Sequence, residues 1–334
     1  MAAMNRQILL KDRPTGMPSA ANFGLVETPL PAPGDGEVLL KTRYLSLDPY
    51  MRGRMNDGPS YAPPAEVGKP MVGGTVSEVA ASRHPGFSAG DLVTAYAGWQ
   101  EYTVSNGAGL VKLDPKLVQP ISLALGLLGM PGMTAYAGLM EIGQPKAGET
   151  VVVSAAAGAV GSVVGQLAKI KGCRAVGVAG GPAKCEHVVK NLGFDACVDH
   201  RADNLRQRLA AACPNGVDIY FENVGGATQR AVWPLFNNFA RVPVCGMIAA
   251  YNDAAPQPGP DPRTVLTKRL TVRGFIVTDL APKFPNAIAD LARWHQEGKI
   301  KYREDVVEGL ENAPQAFLGL FAGKNLGKLV VKVA

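Results

Sequence analysis

The chain has 334 residues, of which 47% are hydrophobic and 19% are charged, and its formal net charge is +6. This length predicts two domains, and the composition is that of an ordinary globular protein with ample core. The sequence lacks both the run of ~20 apolar residues that a membrane span requires and the apolar core of a secretory signal, so we expect a cytoplasmic protein. The basic residues are dispersed, so the positive charge does not indicate nucleic-acid binding.

The cysteines have no paired or metal-like spacing. They are Cys173, Cys185, Cys197, Cys213 and Cys245. An odd number of scattered cysteines predicts reduced thiols, as in cytosolic proteins.

The N-terminal part, up to about residue 120, predicts a compact and irregular β domain, because Gly- and Pro-rich turns separate short runs of strand-forming residues. The runs are Val38–Tyr44, Val72–Val79, Asp91–Tyr96, Tyr102–Val104 and Leu110–Leu113.

From about Ser122 onward, strands and helices alternate, which predicts right-handed crossovers and a parallel, doubly wound sheet. The predicted strands are Val151–Val153, Arg174–Ala179, Ala196–Asp199, Val217–Asn223, Arg241–Cys245 and Leu270–Val277, with a last strand at Lys328–Val333. The predicted helices are Ala159–Lys171, Ala183–Leu192, Asn204–Ala212, Ala227–Asn237, Phe284–Glu297 and Ala313–Ala322. The Pro- and Gly-rich segment Tyr251–Arg263 is predicted to be a loop at the carboxyl edge of the sheet, where ligands bind in open α/β sheets.

The segment from Glu149 to Lys184 carries the main functional signal. A buried strand enters a turn of small residues, AAGAVG (156–161), and a helix and a second strand follow. Such units bind the pyrophosphate of a dinucleotide with backbone N–H groups at the helix N-terminus, and small residues allow the close approach. We therefore expect Gly158, Ala159 and Val160 to contact pyrophosphate, although Ala156 stands where the first fingerprint glycine is usual.

The end of the second strand predicts a preference for NADP(H). The usual Asp or Glu that binds the ribose 2′-hydroxyl is replaced by Gly180–Gly181, and Lys184 follows. An acidic side chain there would repel a 2′-phosphate, whereas a lysine attracts it.

Stretches that span nearly the whole chain resemble the zinc-free branch of the medium-chain dehydrogenase/reductase superfamily, and within it the leukotriene B4 12-hydroxydehydrogenase/prostaglandin reductase group. They are SLDPYMRGRM (46–55), MVGGTV (71–76), GMPGMTAY (129–136), SAAAGAVGSVVGQLAK (154–169), VAGGPAKC (178–185), YFENVGG (220–226), VCGMIAAYN (244–252), RGFIV (273–277) and GKNLGKLVVKV (323–333). Three more, NFGL (22–25), GWQEY (98–102) and GLENAPQAF (309–317), narrow the resemblance to bacterial members that reduce curcumin-type dienones.

The resemblance implies a GroES-like, β-rich catalytic domain formed by residues 1–125 and 300–334. It implies a Rossmann NADP-binding domain with a doubly wound parallel sheet formed by residues 126–299. It also implies that NADPH lies in the cleft between the domains and that the protein is a homodimer.

Zinc is not expected. Catalytic zinc in related alcohol dehydrogenases needs Cys, His and carboxylate ligands from the first domain. The chain has no cysteine before Cys173 and a single histidine, His84, in that part. By the same resemblance, Gly73–Thr75 stands where the zinc enzymes have Gly-His-Glu.

Without a metal, hydride transfer to a simple ketone lacks a strong Lewis acid, whereas a conjugated enone accepts hydride at its β-carbon to leave a delocalised enolate. The sequence therefore predicts metal-free, NADPH-dependent reduction of the C=C bond of α,β-unsaturated ketones or aldehydes, of curcumin or alkenal type.

A phenol suits the polarisation of the carbonyl oxygen and the transfer of a proton. Tyr251, in the loop after the VCG strand end, is the first candidate, and Tyr50, in DPYMRGRM, is the second. Arg52 is expected either to hold an anionic end of the substrate or to brace its loop. Loops around Tyr61 and Trp99 are expected to shape the substrate pocket.

Further cofactor contacts follow from the resemblance. For the 2′-phosphate they are Gly180, Lys184 and His200, with Arg201 as a substitute, because much of the family has a tyrosine where His200 stands. For the nicotinamide and the rest of the cofactor they are Thr134, Asn223, Cys245, Gly246, Tyr251, Phe275, Ile276, Val277 and Asn325. Phe275–Val277 could equally be plain sheet core.

Two alternatives stay open at this stage. Quinones are also conjugated acceptors, so an NADPH quinone reductase is the enzymatic alternative. A non-catalytic, crystallin-like protein that binds NADPH or RNA is the other.

Overall fold

The computed structural model describes residues 3–255 and 257–333. Pro256, in the predicted loop Tyr251–Arg263, and the first two and last residues of the predicted domains lie outside the described residues. By its internal contacts the chain divides into two compact units. The first unit is Met1–Gly126, Glu304–Asn325 and Leu329–Ala334, and the second is Leu127–Arg303 and Leu326–Lys328.

The strands, in chain order, are β1 (Met4–Leu10), β2 (Phe23–Pro29), β3 (Val38–Ser46), β4 (Thr75–Ser82), β5 (Leu92–Ala95), β6 (Tyr102–Ser105), β7 (Val111–Lys112), β8 (Thr150–Ser154), β9 (Arg174–Ala179), β10 (Ala196–Asp199), β11 (Val217–Phe221), β12 (Phe236–Val244), β13 (Thr271–Gly274), β14 (Glu304–Glu308) and β15 (Lys328–Lys332).

The α-helices are α1 (Tyr50–Arg54), α2 (Met130–Ala137), α3 (Gly161–Ile170), α4 (Pro182–Lys190), α5 (Leu205–Ala212), α6 (Gly226–Val232), α7 (Arg263–Lys268), α8 (Phe284–Gln296) and α9 (Ala313–Phe321). Among the described residues, none of these helices is long and apolar enough to cross a membrane.

The second unit is built on a six-stranded sheet of order β10-β9-β8-β11-β12-β13. Its neighbouring strands are parallel throughout. Because helices cover both faces of such a sheet, its central strands are apolar along their whole length, and every residue of β8 is buried. The order of the strands reverses between β8 and β11, so the switch point where ligands bind lies outside the carboxyl ends of these two strands.

The first unit contains a sheet of order β14-β15-β3-β4-β5-β7, in which β6 also pairs with β3, and a separate β1-β2 pair. Its core is an aromatic cluster centred on Trp99, which is 0% exposed. The Trp99 ring stacks on Phe23, with ring centroids 5.5 Å apart, and contacts the edge of Phe317 at 5.6 Å.

The predicted helix Ala227–Asn237 extends too far. Helix α6 ends at Val232, a short 3₁₀ turn follows, and β12 already begins at Phe236. Pro234 lies in that turn and lacks the N–H that a continuing helix would need. The Phe236 ring packs edge-on against Trp233 in the core, at 5.2 Å, which commits it to the sheet.

The predicted strand Leu270–Val277 is also too long. Strand β13 ends at Gly274, and a 3₁₀ helix begins at Val277. The carboxylate of Asp279 accepts a hydrogen bond from the backbone N–H of Ile276, at 3.3 Å, and this local bond favours the turn over the sheet. Strands β1, β2 and β14 and helices α1, α2 and α7 were not predicted.

Helix α3 packs closely because Gly165 has no side chain. A Cβ atom at this position would lie 1.8 Å from Cζ of Phe194, which is itself buried. We expect Gly165→Ala to lower the free energy of unfolding by about 1–3 kcal/mol, because the Phe194 ring would have to leave its place. Urea titration followed by circular dichroism measures this change.

The matched control is Gly259→Ala, since a Cβ there would meet nothing within 4 Å. An unchanged unfolding midpoint for Gly165→Ala, equal to that of Gly259→Ala, would contradict this packing.

Candidate functional site

The turn after β8 has the geometry of a phosphate-binding turn. Ala155 adopts a left-handed conformation with φ of 51°, and the N–H of Gly158 donates to the carbonyl oxygen of Ala155 at 2.9 Å. A Cβ at Gly161 would lie 2.3 Å from the same oxygen, so only glycine fits the first position of α3. The predicted residues Gly158, Ala159 and Val160 therefore lie directly before the N-terminus of a ten-residue helix, where backbone N–H groups and the helix dipole attract anions.

Gly161 was not singled out in the sequence, although its place as the last glycine of the fingerprint is the signal that could have found it.

A strand-like bridge from the end of the chain supports the same turn. Gly327 donates its N–H to the carbonyl oxygen of Ala157 at 2.9 Å and lies opposite Gly158. Asn325 belongs to the first unit and comes two residues before this bridge.

A second candidate anion site lies where β9 and β10 end. A Cβ at Gly180 would lie 2.9 Å from Nε2 of His200 and 3.1 Å from Nε of Arg201, so both side chains converge over the bare glycine. The Asp199 carboxylate orients this turn, because its Oδ1 accepts hydrogen bonds from the N–H groups of Gly181, at 2.8 Å, and Arg201, at 2.9 Å. Lys184, half-buried in the first turn of α4, adds a second positive side chain beside that of Arg201.

The electrostatics of this second site are positive. Partial burial lowers the pKa of His200, and the charges of Arg201 and Lys184 lower it further. At neutral pH the imidazole is therefore uncharged and offers an N–H donor, while Arg201 and Lys184 supply the charge. These groups suit a phosphate monoester.

At the switch point, the buried carboxyl group of Glu222 is the centre of a hydrogen-bond cluster. Its Oε1 accepts hydrogen bonds from Ser154 Oγ at 3.0 Å, Tyr220 Oη at 2.9 Å, and the backbone N–H groups of Val224 at 2.8 Å and Gly225 at 2.9 Å. Its Oε2 is buried and has no hydrogen-bond partner among the described residues. The cluster fixes the end of β8 to the turn after β11.

Asn223 is held by the same cluster. Its backbone N–H donates to Ser154 Oγ at 2.8 Å, and its Nδ2 donates to the Ser154 carbonyl oxygen at 2.7 Å. The backbone after β12 is held as well, because the N–H groups of Cys245 and Gly246 donate to the carbonyl oxygen of Glu222 at 2.9 and 3.1 Å. The predicted residues Asn223, Cys245 and Gly246 are thus brought together. Glu222 was missed, although a carboxylate directly after the apolar strand DIYF was a visible signal.

Tyr251 folds back over this backbone. A Cβ at Gly246 would lie 3.0 Å from Tyr251 Oη, and the N–H of Met247 donates to that oxygen at 3.4 Å. A hydroxyl that accepts a hydrogen bond becomes a stronger donor through its own proton. Burial and the nearby charge of Glu222 raise the pKa of the Cys245 thiol to about 12, so this thiol stays protonated at neutral pH and is a poor nucleophile.

Phe275, Ile276 and Val277 are half-buried and lie beyond the end of β13, not within the sheet. The Phe275 ring packs edge-on against Phe221 at 6.3 Å, and a Cβ at Gly138 would lie 2.6 Å from it. The N–H of Phe275 donates to the carbonyl oxygen of Val244 at 3.4 Å, so this apolar segment begins beside the residue before Cys245. Thr134, by contrast, is buried inside α2 and donates its hydroxyl to the Met130 carbonyl oxygen at 2.7 Å.

In the first unit, Tyr50 belongs to a group of phenols. Its hydroxyl lies 3.2 Å from that of Tyr96, and Arg54 Nη1 donates to Tyr96 Oη at 3.3 Å. Burial and the charge of Asp48 raise the pKa of Tyr50 well above its usual value, so this phenol keeps its proton. Tyr61 is 61% exposed and Tyr96 is 55% exposed. Tyr96 was missed in the sequence, where it only ended a predicted strand.

Two predicted substrate residues of the first unit, Trp99 and Arg52, have buried side chains. The Trp99 side chain is fully buried between Phe23 and Phe317 and belongs to the core, and the expectation that its loop shapes the substrate pocket stays a prediction. Arg52 is 3% exposed and donates to Asn56 Oδ1 at 2.5 Å and to the Gly16 carbonyl oxygen at 2.7 Å. These bonds support the loop-bracing alternative for Arg52.

Residues 3–255 and 257–333 contain no group of three or more His, Cys, Asp or Glu side chains placed to hold a metal ion. The donor set of zinc is thus missing from the described residues.

Comparison with known proteins places both units in one family. A family profile described as "N-terminal domain of oxidoreductase" matches residues 6–113, and one described as "Zinc-binding dehydrogenase" matches residues 159–293. The predicted fold class, a β-rich GroES-like domain with a doubly wound Rossmann domain, is confirmed.

The chain is 54% identical to the NADPH-dependent curcumin reductase of Escherichia coli, over 99% of this chain and 97% of the relative. It is 44% identical to prostaglandin reductase 1 of Rattus norvegicus, over 97% of each chain. The crystal structure of CurA from Vibrio vulnificus in complex with NADPH superposes with a TM-score of 0.95 at 51% identity, over 98% of this chain and 99% of that one. The predicted family resemblance is confirmed.

We expect Glu222→Gln to lower the free energy of unfolding by about 1–3 kcal/mol. The amide oxygen can still accept from the donors around Oε1, but the new NH2 group then lies at the Oε2 position, which is buried without an acceptor among the described residues. Urea titration measures the loss. The control is Glu186→Gln, an exposed carboxylate of α4 that pairs with Lys190. Equal stability of the two variants would show that the Glu222 cluster does not support the fold.

Proposed function

The chain belongs to the medium-chain dehydrogenase/reductase family, in its prostaglandin reductase group, and on this premise we propose that it reduces the C=C bond of α,β-unsaturated ketones and aldehydes with NADPH. Its relatives include reductases named for curcumin and for prostaglandins. The observation that carries the proposal for this chain is the carboxyl edge of its parallel sheet. Along it, basic groups follow β9 and β10, the phenol of Tyr251 follows β12, and the apolar residues Phe275–Val277 follow β13.

The residues present fit NADPH. The N-terminus of α3, after Gly158–Val160, suits the pyrophosphate, since small residues leave its backbone accessible. Gly180, Lys184, His200 and Arg201 suit the 2′-phosphate, which distinguishes NADPH from NADH. Asn223, Cys245, Gly246 and Phe275–Val277 are proposed to border the nicotinamide, with Thr134 and Asn325 as further contacts. When bound, the reduced nicotinamide supplies the hydride.

Tyr251 is proposed to polarise the substrate. Its hydroxyl donates a hydrogen bond to the carbonyl oxygen of the enone, which withdraws electron density from the β-carbon. As hydride reaches the β-carbon, the electron pair of the C=C bond moves toward that oxygen and the Tyr251 hydrogen bond stabilises the enolate. The enolate then takes a proton at its α-carbon, supplied by water through the Tyr251 hydroxyl, and the C=C bond is saturated. Because burial raises the pKa of Cys245, this thiol stays protonated and does not compete by adding to the enone.

The phenols of the first unit are proposed to bind the substrate. Tyr50, Tyr61 and Tyr96 offer flat, partly exposed rings with hydroxyl groups that suit conjugated or aromatic enones. The raised pKa of Tyr50 keeps it neutral, so a second hydroxyl donor is available. Zinc independence and a cytoplasmic location stay predictions from the sequence.

A homodimer is proposed from β13, the outermost strand of the parallel sheet. All four residues of β13 are exposed, and one edge of this strand has no neighbour within the described sheet. Such an edge presents backbone N–H and C=O groups that pair readily with a second copy.

Replacement of Lys184 tests the cofactor assignment. We expect Lys184→Gln to weaken NADPH binding about 10-fold or more, because one charged contact to the 2′-phosphate is lost, and to leave NADH binding unchanged. Isothermal titration calorimetry with both nucleotides measures the two dissociation constants. Lys190→Gln, on the same helix but paired with Glu186, is the control and should alter neither constant. Equal loss of NADPH and NADH affinity in Lys184→Gln would rule out a 2′-phosphate contact.

Replacement of Tyr251 tests the polarising group. We expect Tyr251→Phe to lower kcat for an aliphatic enone by about 100-fold while the dissociation constant of NADPH stays the same, because the donor acts on developing charge. Tyr102→Phe is the control, since this tyrosine lies in β6 of the first unit. NADPH oxidation at unchanged kcat in Tyr251→Phe would transfer the role to another group.

Replacement of Val272 tests the dimer. Val272, in β13, is 43% exposed, and Val272→Lys places a charge on the strand edge. We expect sedimentation velocity to show a dimer for the parent chain and a monomer for this variant. Leu117→Lys, at an exposed site of the first unit, should remain dimeric. A monomeric parent chain, or a dimeric Val272→Lys, would overturn the edge assignment.

A further inference from the structure

Two cysteines face each other beside the proposed 2′-phosphate site. Cys185 lies in α4 and Cys197 in β10, and the Cys197 thiol donates to Cys185 Sγ at 2.9 Å. A disulfide bond has an S–S length of about 2.05 Å, so the sulfurs need to approach by roughly 1 Å to be joined. Both residues are half-buried, whereas Cys173 and Cys213 are buried. An oxidant therefore has access to this pair.

The sequence around the pair makes room for it. Cys197 lies opposite Gly177 of β9, and a Cβ at Gly177 would lie 3.3 Å from Cys197 Sγ. The bare glycine thus leaves space for the Cys197 sulfur between the sheet and α4.

The two thiols differ in reactivity. The hydrogen bond from Cys197 lowers the pKa of Cys185, although partial burial acts in the opposite direction. The same bond and burial raise the pKa of Cys197. Cys185 also lies in the N-terminal half of α4, directly after Lys184, where a negative charge is favoured. Cys185 is therefore the nucleophile of the pair and Cys197 the resolving thiol. Burial raises the pKa of Cys173 and of Cys213 to about 11, which leaves both unreactive.

We propose that Cys185 and Cys197 form a redox-active dithiol that hydroperoxides convert to a disulfide, and that this disulfide weakens NADPH binding. The thiolate of Cys185 attacks the terminal oxygen of the hydroperoxide, breaks the O–O bond and becomes a sulfenic acid, while the alkoxide leaves and takes a proton to form the alcohol. The Cys197 thiol then attacks the sulfenic sulfur, the S–S bond forms, and water leaves. In sum, two thiols and one hydroperoxide give one disulfide, one alcohol and one water.

The link to NADPH follows from the chain on either side of the pair, and this step rests on the proposed function. Cys185 adjoins Lys184, and Cys197 comes two residues before Asp199, whose carboxylate orients Gly181 and Arg201. Drawing α4 toward β10 by roughly 1 Å displaces Lys184 relative to Gly180 and His200, and a displacement of this size is enough to disrupt directed contacts. NADH has no 2′-phosphate and is affected less.

The test begins with the bond itself. The reduced chain is treated with hydrogen peroxide, its free thiols are blocked, and it is digested with trypsin without reduction. Cleavage after Lys184, Lys190 and Arg201 separates the peptides CEHVVK (185–190) and NLGFDACVDHR (191–201). We expect mass spectrometry to find these two peptides linked and the linkage to disappear on reduction. Their recovery as separate, blocked peptides would overturn the proposal.

The second measurement is nucleotide affinity. We expect the disulfide to raise the dissociation constant of NADPH about 10-fold, with a smaller change for NADH and full recovery on reduction. Cys185→Ser and Cys197→Ser should each abolish the effect of peroxide, whereas Cys213→Ala should retain it. Unchanged NADPH affinity in the linked protein would overturn the regulatory part. If the reduced protein does not prefer NADPH over NADH while the linked peptides still form, the proposed cofactor use fails and the disulfide is supported.

Discussion

The buried carboxyl group of Glu222 is the interaction on which the proposed site depends most. It gathers a serine hydroxyl from the end of β8, a phenol from β11 and two backbone N–H groups from the following turn onto a single oxygen. The backbone carbonyl oxygen of Glu222 accepts hydrogen bonds from the N–H groups of Cys245 and Gly246 after β12. The carboxyl ends of β8, β11 and β12 are thereby held in one arrangement. This arrangement in turn positions Asn223 and Tyr251. A buried polar cluster of this kind is costly when any member is missing, and the same property makes it rigid.

Absent side chains matter as much as present ones at this edge. A Cβ at Gly161 would collide with the Ala155 carbonyl oxygen, and a Cβ at Gly180 would fill the space over which His200 and Arg201 converge. At both glycines, backbone N–H groups and basic side chains can approach an anion closely because no Cβ atom intervenes. The proposed nucleotide preference and the proposed chemistry are therefore both assigned to the same parallel sheet. The first is assigned to the ends of β9 and β10 and the second to the ends of β11 to β13.

Local patterns predicted much of this arrangement from the sequence. Strands β9 and β10 were predicted at the observed residues, because each is a short apolar run with turn residues on both sides. The helix predicted through Asn237 failed because the commitment of Phe236 to the core is a tertiary effect. Trp99 illustrates the same limit: an aromatic residue next to predicted strand ends suits a pocket equally well, and only its contacts with Phe23 and Phe317, distant in sequence, identify it as core. The roles of Glu222 and Tyr96 likewise depend on residues from other elements. The site assignments themselves stay predictions, since sequence and contacts indicate which groups lie together and not which ones react.

The most direct test of the central claim follows the transferred hydrogen. NADPH carrying deuterium at C4 of the nicotinamide is incubated with the chain and an aliphatic enone, and the product is analysed by NMR spectroscopy. The account predicts a saturated ketone with deuterium on the β-carbon. An allylic alcohol with deuterium on the former carbonyl carbon would contradict it, because the chain would then reduce the C=O bond instead of the C=C bond.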